Sequence, residues 1–447
     1  MKSLSSKGYG IVKLDIDPCI LDNMRRELTV RPLQNGKIDE NAPIITLYRE
    51  SSKKIYVPKY YGLSKFGLPN RDDTQDCDTI DFKFNGTLRP EQMEPVDDFL
   101  KAAHDPLKRG GVINLSCGAG KTVIGLALVE KLGLKSMIIV HKDFLISQWR
   151  ERITQFLPDA RVGLVKAKVI DVEDKDIVIV SLQSLSMKTY DEDVFSKFGF
   201  VIIDEVHRTG TEVFSNALHK INFKYALGLS ATIDRKDGMS KVFMWCIGDI
   251  VHSKKRDQDN VIVQSHIFYD KNPSYCTEVR IGFGPNSKLN LARMINNVCE
   301  FQSRDNVIVS HVNKLVLDDR KILVLSDRKS QLKNLESLLP NGMCGFYIGG
   351  MKPDALKKSE LCSVILATYS FASEGFDAKG LDTLILASPK TDIEQSVGRI
   401  LREKESDRTK IPIIVDIVDN FSIFERQAKK RAAFYKKNGF TIEIIKE

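Results

Sequence analysis

Hydrophobic positions along the chain change rhythm near residue 82. Before that point, short apolar runs such as Ile44-Ile45-Thr46-Leu47-Tyr48 and Lys54-Ile55-Tyr56-Val57 are punctuated by Pro18, Pro32, Pro43, Pro58 and Pro69. That punctuation predicts a small α+β or β-rich module. Beyond it, continuous apolar runs alternate with amphipathic stretches. Buried strands are predicted at Gly111–Leu115, Ser136–His141, Asp176–Ser181, Phe200–Asp204 and Tyr225–Leu229, with helices over Val123–Leu132 and Phe144–Phe156. After an apolar helix around Val242–Ile247 the rhythm resumes. Strands are predicted at Lys321–Ser326, Val364–Thr368, Thr383–Ala387 and Ile413–Val418, with a helix over Lys329–Leu339. Alternation of this kind builds a parallel sheet with helices on both faces. Two successive blocks of similar size predict a duplicated α/β fold with a cleft between the copies.

Composition narrows this picture only modestly. A chain of 447 residues exceeds one compact core. The formal net charge of +8 suits a polyanionic partner. None of the eight cysteines falls in a C-x-x-C pair, so neither a zinc site nor a disulfide framework is indicated. The first residues lack the apolar core of a signal peptide, and no run is long enough to span a membrane; a cytoplasmic protein is expected.

Ligands of a parallel α/β sheet bind at the carboxyl ends of its strands, and the chemistry-bearing residues cluster there. Gly118-Ala119-Gly120-Lys121-Thr122 follows the first strand and opens a helix. It forms a phosphate cradle of backbone N–H groups, a lysine charge, and a hydroxyl suited to Mg²⁺. The full P-loop pattern has glycine where this chain has Leu115. Asp204-Glu205-Val206-His207 ends another strand: the first carboxylate can hold Mg²⁺, and the second can orient and deprotonate an attacking water. Ser230-Ala231-Thr232 ends a third and offers two hydroxyls that can link the metal site to another surface.

Three further features stand outside these strand ends. In Leu88-Arg89-Pro90-Glu91-Gln92, Pro90 suits a first helical turn, and the Gln92 amide can read adenine bidentately. In the second block, Asp392 reads as a helix N-cap with Gln395 as its capping partner. Gln395, Arg399 and Arg402 then share one face, opposite Ile393, Val397, Ile400 and Leu401. That face is either a solvated basic surface or a pair of arginine fingers. The aromatic-basic run from Tyr56 to Gly67 either stacks bases or docks its module on the next domain, and the acidic stretch Asp72–Asp76 reads as a linker.

Taken together, these pieces resemble the superfamily 2 helicases, and among them the XPB-like and phage UvsW-like double-stranded DNA motors. The resemblance spans Phe84 to Arg402. It rests on Leu88-Arg89-Pro90-x-Gln92, Cys117 to Thr122, Ser147-Gln148-Trp149, Ser181-Leu182-Gln183-Ser184, the Asp-Glu-Val-His box, Ser230-Ala231-Thr232 with Arg235-x-Asp237-Gly238, Ala367 to Asp377, and Gln395-x-x-Gly398-Arg399-x-x-Arg402. It implies two tandem RecA-like parallel-sheet domains with a small N-terminal α+β accessory domain, bounded at 1–82, 83–254 and 255–447.

The resemblance also implies roles. Arg89 and Gln92 would read adenine, Gly118 to Thr122 the phosphates, Asp204 and Thr122 the Mg²⁺, and Glu205 the water. Arg399 and Arg402 would complete the ATP site from the second domain, with Gly375 and Asp377 near ribose and phosphate. His207, Ser230, Thr232 and Gln395 would couple the two halves. Ser147, Gln148, Ser181, Thr368 and Ser370 would hold a nucleic-acid strand by its phosphates, which positions it without reading sequence. The expected function is an ATP-dependent, monomeric DNA motor that remodels branched or forked duplexes and single-stranded segments by fork regression, junction branch migration and limited unwinding. Two alternatives stay open: a viral transcript-release ATPase or RNA helicase, and an ATP-gated DNA clamp without turnover.

Overall fold

The computed structural model describes the chain except for residues 35–36, 75, 117, 192, 206–210, 232–236, 255–259, 283–286, 373–377, 402–407 and 447, and the side chains of 34, 37, 211, 353 and 446. It divides into two compact units, Met1–Lys255 and Arg256–Glu447.

In the first unit an eight-stranded sheet runs in the order 169–171, 162–166, 177–181, 136–140, 200–204, 225–230, 110–115, 250–254. Every pairing is parallel except that of Val162–Lys166 with Val169–Asp171. The predicted central strands form because their apolar runs are buried on both faces, as parallel sheets require. Ile138, Ile179, Ile202, Leu227 and Leu229 face the helices Pro90–His104, Lys121–Leu132 and Asp143–Phe156. Met137, Ile139, Val180, Val201 and Ala226 face the other way.

That second face is covered partly by the N-terminal residues. Their mainly antiparallel sheet has the order 49–50, 54–57, 8–12, 2–5, 71–72, and its Leu4, Tyr9, Ile55 and Val57 join the same apolar cluster. The helix Lys59–Phe66 makes the join. Lys59 Nζ donates to the carbonyls of Phe223 at 2.7 Å and Lys224 at 2.9 Å, and Tyr60 Oη donates to the carbonyl of Arg109 at 3.0 Å. Tyr61 meets Trp245 edge to face at 5.5 Å. A Cβ on Gly62 would lie 2.2 Å from the Tyr9 ring, so only glycine permits this approach. Docking, not base stacking, therefore occupies the rings of Tyr60 and Tyr61. Within the stretch read as a linker, two residues are tied into the fold: Asp72 lies in a strand beside Leu4 and pairs with Arg109 at 2.5 Å, and Thr74 is buried. Asp72 is neutralised in place by a buried guanidinium, while Asp73 and Asp76 stay exposed.

The second unit holds a seven-stranded sheet, all parallel, in the order 344–347, 364–368, 322–326, 383–386, 413–419, 262–268, 441–446. Helices cover both faces, with Ile322, Val324 and Leu366 on one side and Leu323, Leu325 and Ile365 on the other. The architecture is α/β, with two tandem RecA-like parallel-sheet blocks and a small N-terminal α+β part.

Candidate nucleotide site and nucleic-acid face

Register places three strand ends side by side. Asn114 pairs with Ser230, and Asp204 pairs with Leu229, so Ser230 lies between the glycine loop and the acidic pair. The loop enters its helix through Gly120, which is left-handed at φ 77°. A Cβ there would sit 2.2 Å from Gln92 Nε2. Lys121 begins the helix, and its Nζ donates to the carbonyl of Leu115 at 2.9 Å. Leu115 itself is buried in the core beneath the loop, and its backbone is not left-handed. The departure from the glycine pattern thus meets no steric objection.

Gln92 is buried at the third position of the Pro90–His104 helix. Its Oε1 accepts from the Arg89 backbone N–H at 3.0 Å, and its Nε2 donates to the Ala119 carbonyl at 3.2 Å. An amide has two acceptor lone pairs and two N–H donors. One of each is engaged with the chain through these two contacts.

Asp204 ends its strand with only 8% of its surface exposed. Burial pushes its carboxyl up to about 6, the neighbouring Glu205 charge adds to this, and a hydrogen bond from Trp149 Nε1 opposes it. Glu205 follows in the left-handed region at φ 50°, where a non-glycine residue stores strain. A buried carboxylate beside a second one is costly without a cation, so this pair, with the half-buried Thr122 hydroxyl, fits a divalent ion.

The remaining residues of the first unit divide between outer surface and interior. Ser147 is exposed, and Gln148 and Ser181 are half-buried. Trp149 points the other way: it shares the inner face of its helix with Leu145, Ile146 and Ile153 and reaches Asp204 at 2.9 Å. The resemblance carries Trp149 only as part of the Ser147-Gln148-Trp149 motif and implies no role for it. The signal was present, since a tryptophan at core spacing needs an acceptor for its N–H. The identity of that acceptor was not legible.

In the second unit Thr368 is buried at a strand end, and Ser370 is exposed on the short helix Tyr369–Ala372. The arginine-bearing helix runs over Glu394–Ile400, with Ile393 at its N-cap and no side-chain cap bond. Asp392 therefore lies before the cap and does not form the predicted capping pair with Gln395. The cause is packing: Ile393 is 2% exposed and is anchored with Val397, Ile400 and Leu401 in the core. Arg399 is buried as well, which excludes a solvated basic face at that position. His207, Thr232, Gly375, Asp377 and Arg402 lie outside the described residues.

Comparisons with known proteins bear on this arrangement. Residues 85–235 match the family described as the res subunit of type III restriction enzymes. A protein of Acanthamoeba polyphaga mimivirus that bears the name of an ATP-dependent RNA helicase is 35% identical over 450 residues, which covers 98% of this chain and 85% of that protein. A helicase-named protein of Escherichia phage T5 is 28% identical over 75% of this chain and 74% of its own length. The crystal structure of T4 UvsW aligns over 97% of both chains at 15% identity, with a TM-score of 0.38. The chain belongs to the superfamily 2 helicases, ATP-dependent enzymes that act on nucleic acid. Among the described residues, no helix is long and apolar enough to cross a membrane.

Proposed function

We propose that the protein is an ATP-dependent DNA translocase that remodels branched DNA, by fork regression, junction branch migration and limited unwinding. Its working parts would be an accessory domain at 1–82 and two motor domains at 83–254 and 255–447. The observation that carries the motor reading is the alignment of Leu115, Ser230 and Asp204 at neighbouring strand ends, with Lys121 and Gln92 beside them. The choice of DNA rests on the motif resemblance to duplex motors.

On binding ATP, Lys121 would exchange the Leu115 carbonyl for the β- and γ-phosphates, and Gln92 would use its second N–H and lone pair on adenine, with Arg89 alongside. Gly118, Ala119 and Gly120 would present backbone N–H groups to the phosphates. A Mg²⁺ held by Asp204 and Thr122 would neutralise phosphate charge. Glu205 would take a proton from the attacking water, and Arg399 and Arg402 would stabilise charge building on the transferred phosphoryl group. Gly375 and Asp377 would flank the ribose and phosphates. His207, Ser230, Thr232 and Gln395 would relay the nucleotide state to Ser147, Gln148, Ser181, Thr368 and Ser370 on the nucleic-acid strand, so that alternating grips advance the motor.

Glu205→Gln separates a motor from a nucleotide-gated clamp: ATP turnover should fall by at least about a hundredfold, and unchanged turnover would sink the motor reading. The name borne by the mimivirus relative favours a second reading, an RNA helicase. ATPase stimulation by duplex, forked and four-way DNA, set against RNA, decides between them. Stimulation strongest with RNA would overturn the branched-DNA proposal.

A further inference from the structure

The helix Ser422–Lys437 has two unlike sides. Its inner side is locked to the second sheet. Arg431 is buried and pairs with Asp416 at 2.8 Å, Tyr435 Oη donates to Asp416 at 3.0 Å, and Phe424 sits in the core. Its outer side carries Arg426, Lys429, Lys430, Ala433, Lys436 and Lys437, all exposed. At 100° per residue these six positions fall within an arc of about 120°, opposite Phe424 and Tyr435. From Arg426 to Lys437 the stripe is about 16 Å long.

None of the four lysine ammonium groups has an ion-pair or hydrogen-bond partner among the described residues. Arg426 lies in the field of Glu278, whose carboxylate also accepts from Ser422 and Arg280. Within the helix itself Glu425 is the one carboxylate, and Glu443 lies on the edge strand that follows it. Five cations on one rigid face, with so few acids, form a concentrated positive stripe held in place by a buried ion pair.

We infer that the outer face of this helix is a phosphate-tracking surface for the backbone of duplex DNA, separate from the strand-end residues assigned above. The inference rests on the proposed DNA reading and adds to it where the duplex lies on the second unit. Successive cations are separated by about 1.5 to 9 Å along the helix axis, and over the stripe's length of about 16 Å a duplex presents about nine phosphate charges. Ordering costs are small because the helix is already anchored at Arg431 and Tyr435. Contacts of this kind carry no sequence information, as suits an enzyme that moves along DNA.

The test compares the wild-type protein with the variant Lys429→Gln, Lys430→Gln, Lys436→Gln, Lys437→Gln on a blunt DNA duplex, with affinity measured across a salt series. Each lost duplex phosphate contact flattens the plot of log affinity against log salt by about 0.9, against about 0.7 for single strands. The variant should therefore lose about 2 to 4 in slope on duplex, while its ATPase without nucleic acid stays unchanged. The all-arginine version of the same four positions should restore the slope. Equal slopes for wild type and glutamine variant would overturn the inference and leave the DNA reading standing. A slope loss confined to single strands or to RNA would overturn the duplex assignment. Failure of the wild type to bind duplex DNA at all would overturn both.

Discussion

The indole Nε1 of Trp149 donates a 2.9 Å hydrogen bond to Oδ2 of Asp204, which ties the inner face of the Asp143–Phe156 helix to the first carboxylate of the acidic pair. Ser147 and Gln148, two and one residues before Trp149, lie on the outer part of that same helix. A single helix thus joins the proposed strand-holding surface to the nucleotide site.

Trp149→Phe keeps most of the apolar bulk and removes the donor. A hydrogen bond to a charged group contributes about 1.5–3 kcal/mol, so ATP turnover should fall about 10- to 100-fold. The Asp204 carboxyl should move further above its ordinary range. The acidic limb of the pH–rate profile will shift to higher pH, and an unmoved limb would remove Trp149 from the site.

Asp204 also makes stability depend on pH. Its carboxyl stands at about 6 in the folded chain against an ordinary 3.8. Between those values the folded state binds more protons than the unfolded one. The stability of the nucleotide-free protein therefore declines as pH rises through that window and stays lower above it. Asp204→Asn cannot ionise. It should melt with the wild type near pH 4 and above it at pH 8, by an amount equivalent to about 2–3 kcal/mol. Identical melting at both pH values would contradict the assignment.

Gly120→Ala places a methyl group 2.2 Å from Gln92 Nε2 at a left-handed backbone position. Both strain and collision act on the loop rather than on the core beneath it. ATP affinity should drop by about tenfold or more, which corresponds to about 1.4 kcal/mol, with little change in the helical circular dichroism. Titration with a fluorescent ATP analogue measures this, and wild-type affinity would show that the loop has another resting conformation.

Lys59→Met removes the amine that donates to the carbonyls of Phe223 and Lys224, and it leaves the Phe223 acceptor buried and the Lys224 acceptor half-buried. Unsatisfied buried acceptors cost about 1–3 kcal/mol each. The melting temperature should fall, and limited proteolysis should release the N-terminal residues before the parallel-sheet core. Co-release of both would show that the join is not the weak point.

Much of this protein is legible in its sequence, because long apolar runs at the strands and glycine or acidic residues at their ends are local signals. Phe200–Asp204 and Val364–Thr368 carry the same bounds in sequence and structure. Edge strands such as Thr441–Lys446 were not predicted, since an edge buries less and its apolar run is weak. The aromatic run at 56–67 shows the limit more sharply. Its composition suits bases or a protein core equally, and only the approach of Tyr9 and the carbonyls of Phe223 and Lys224 selects the core.

What the sequence alone determined is the class of the protein: the order of strands and helices, the phosphate loop, the acidic pair and the membership in a helicase superfamily. The tertiary structure decided which buried polar groups meet. Trp149 with Asp204, Lys59 with two strand-entry carbonyls, and Arg304 with Asp419 at 2.7 Å are all pairings across long stretches of chain. Periodicity reports which residues turn inward. A partner for an inward-facing donor or charge is chosen by sheet order and register, which are properties of the assembled fold and not of any one segment.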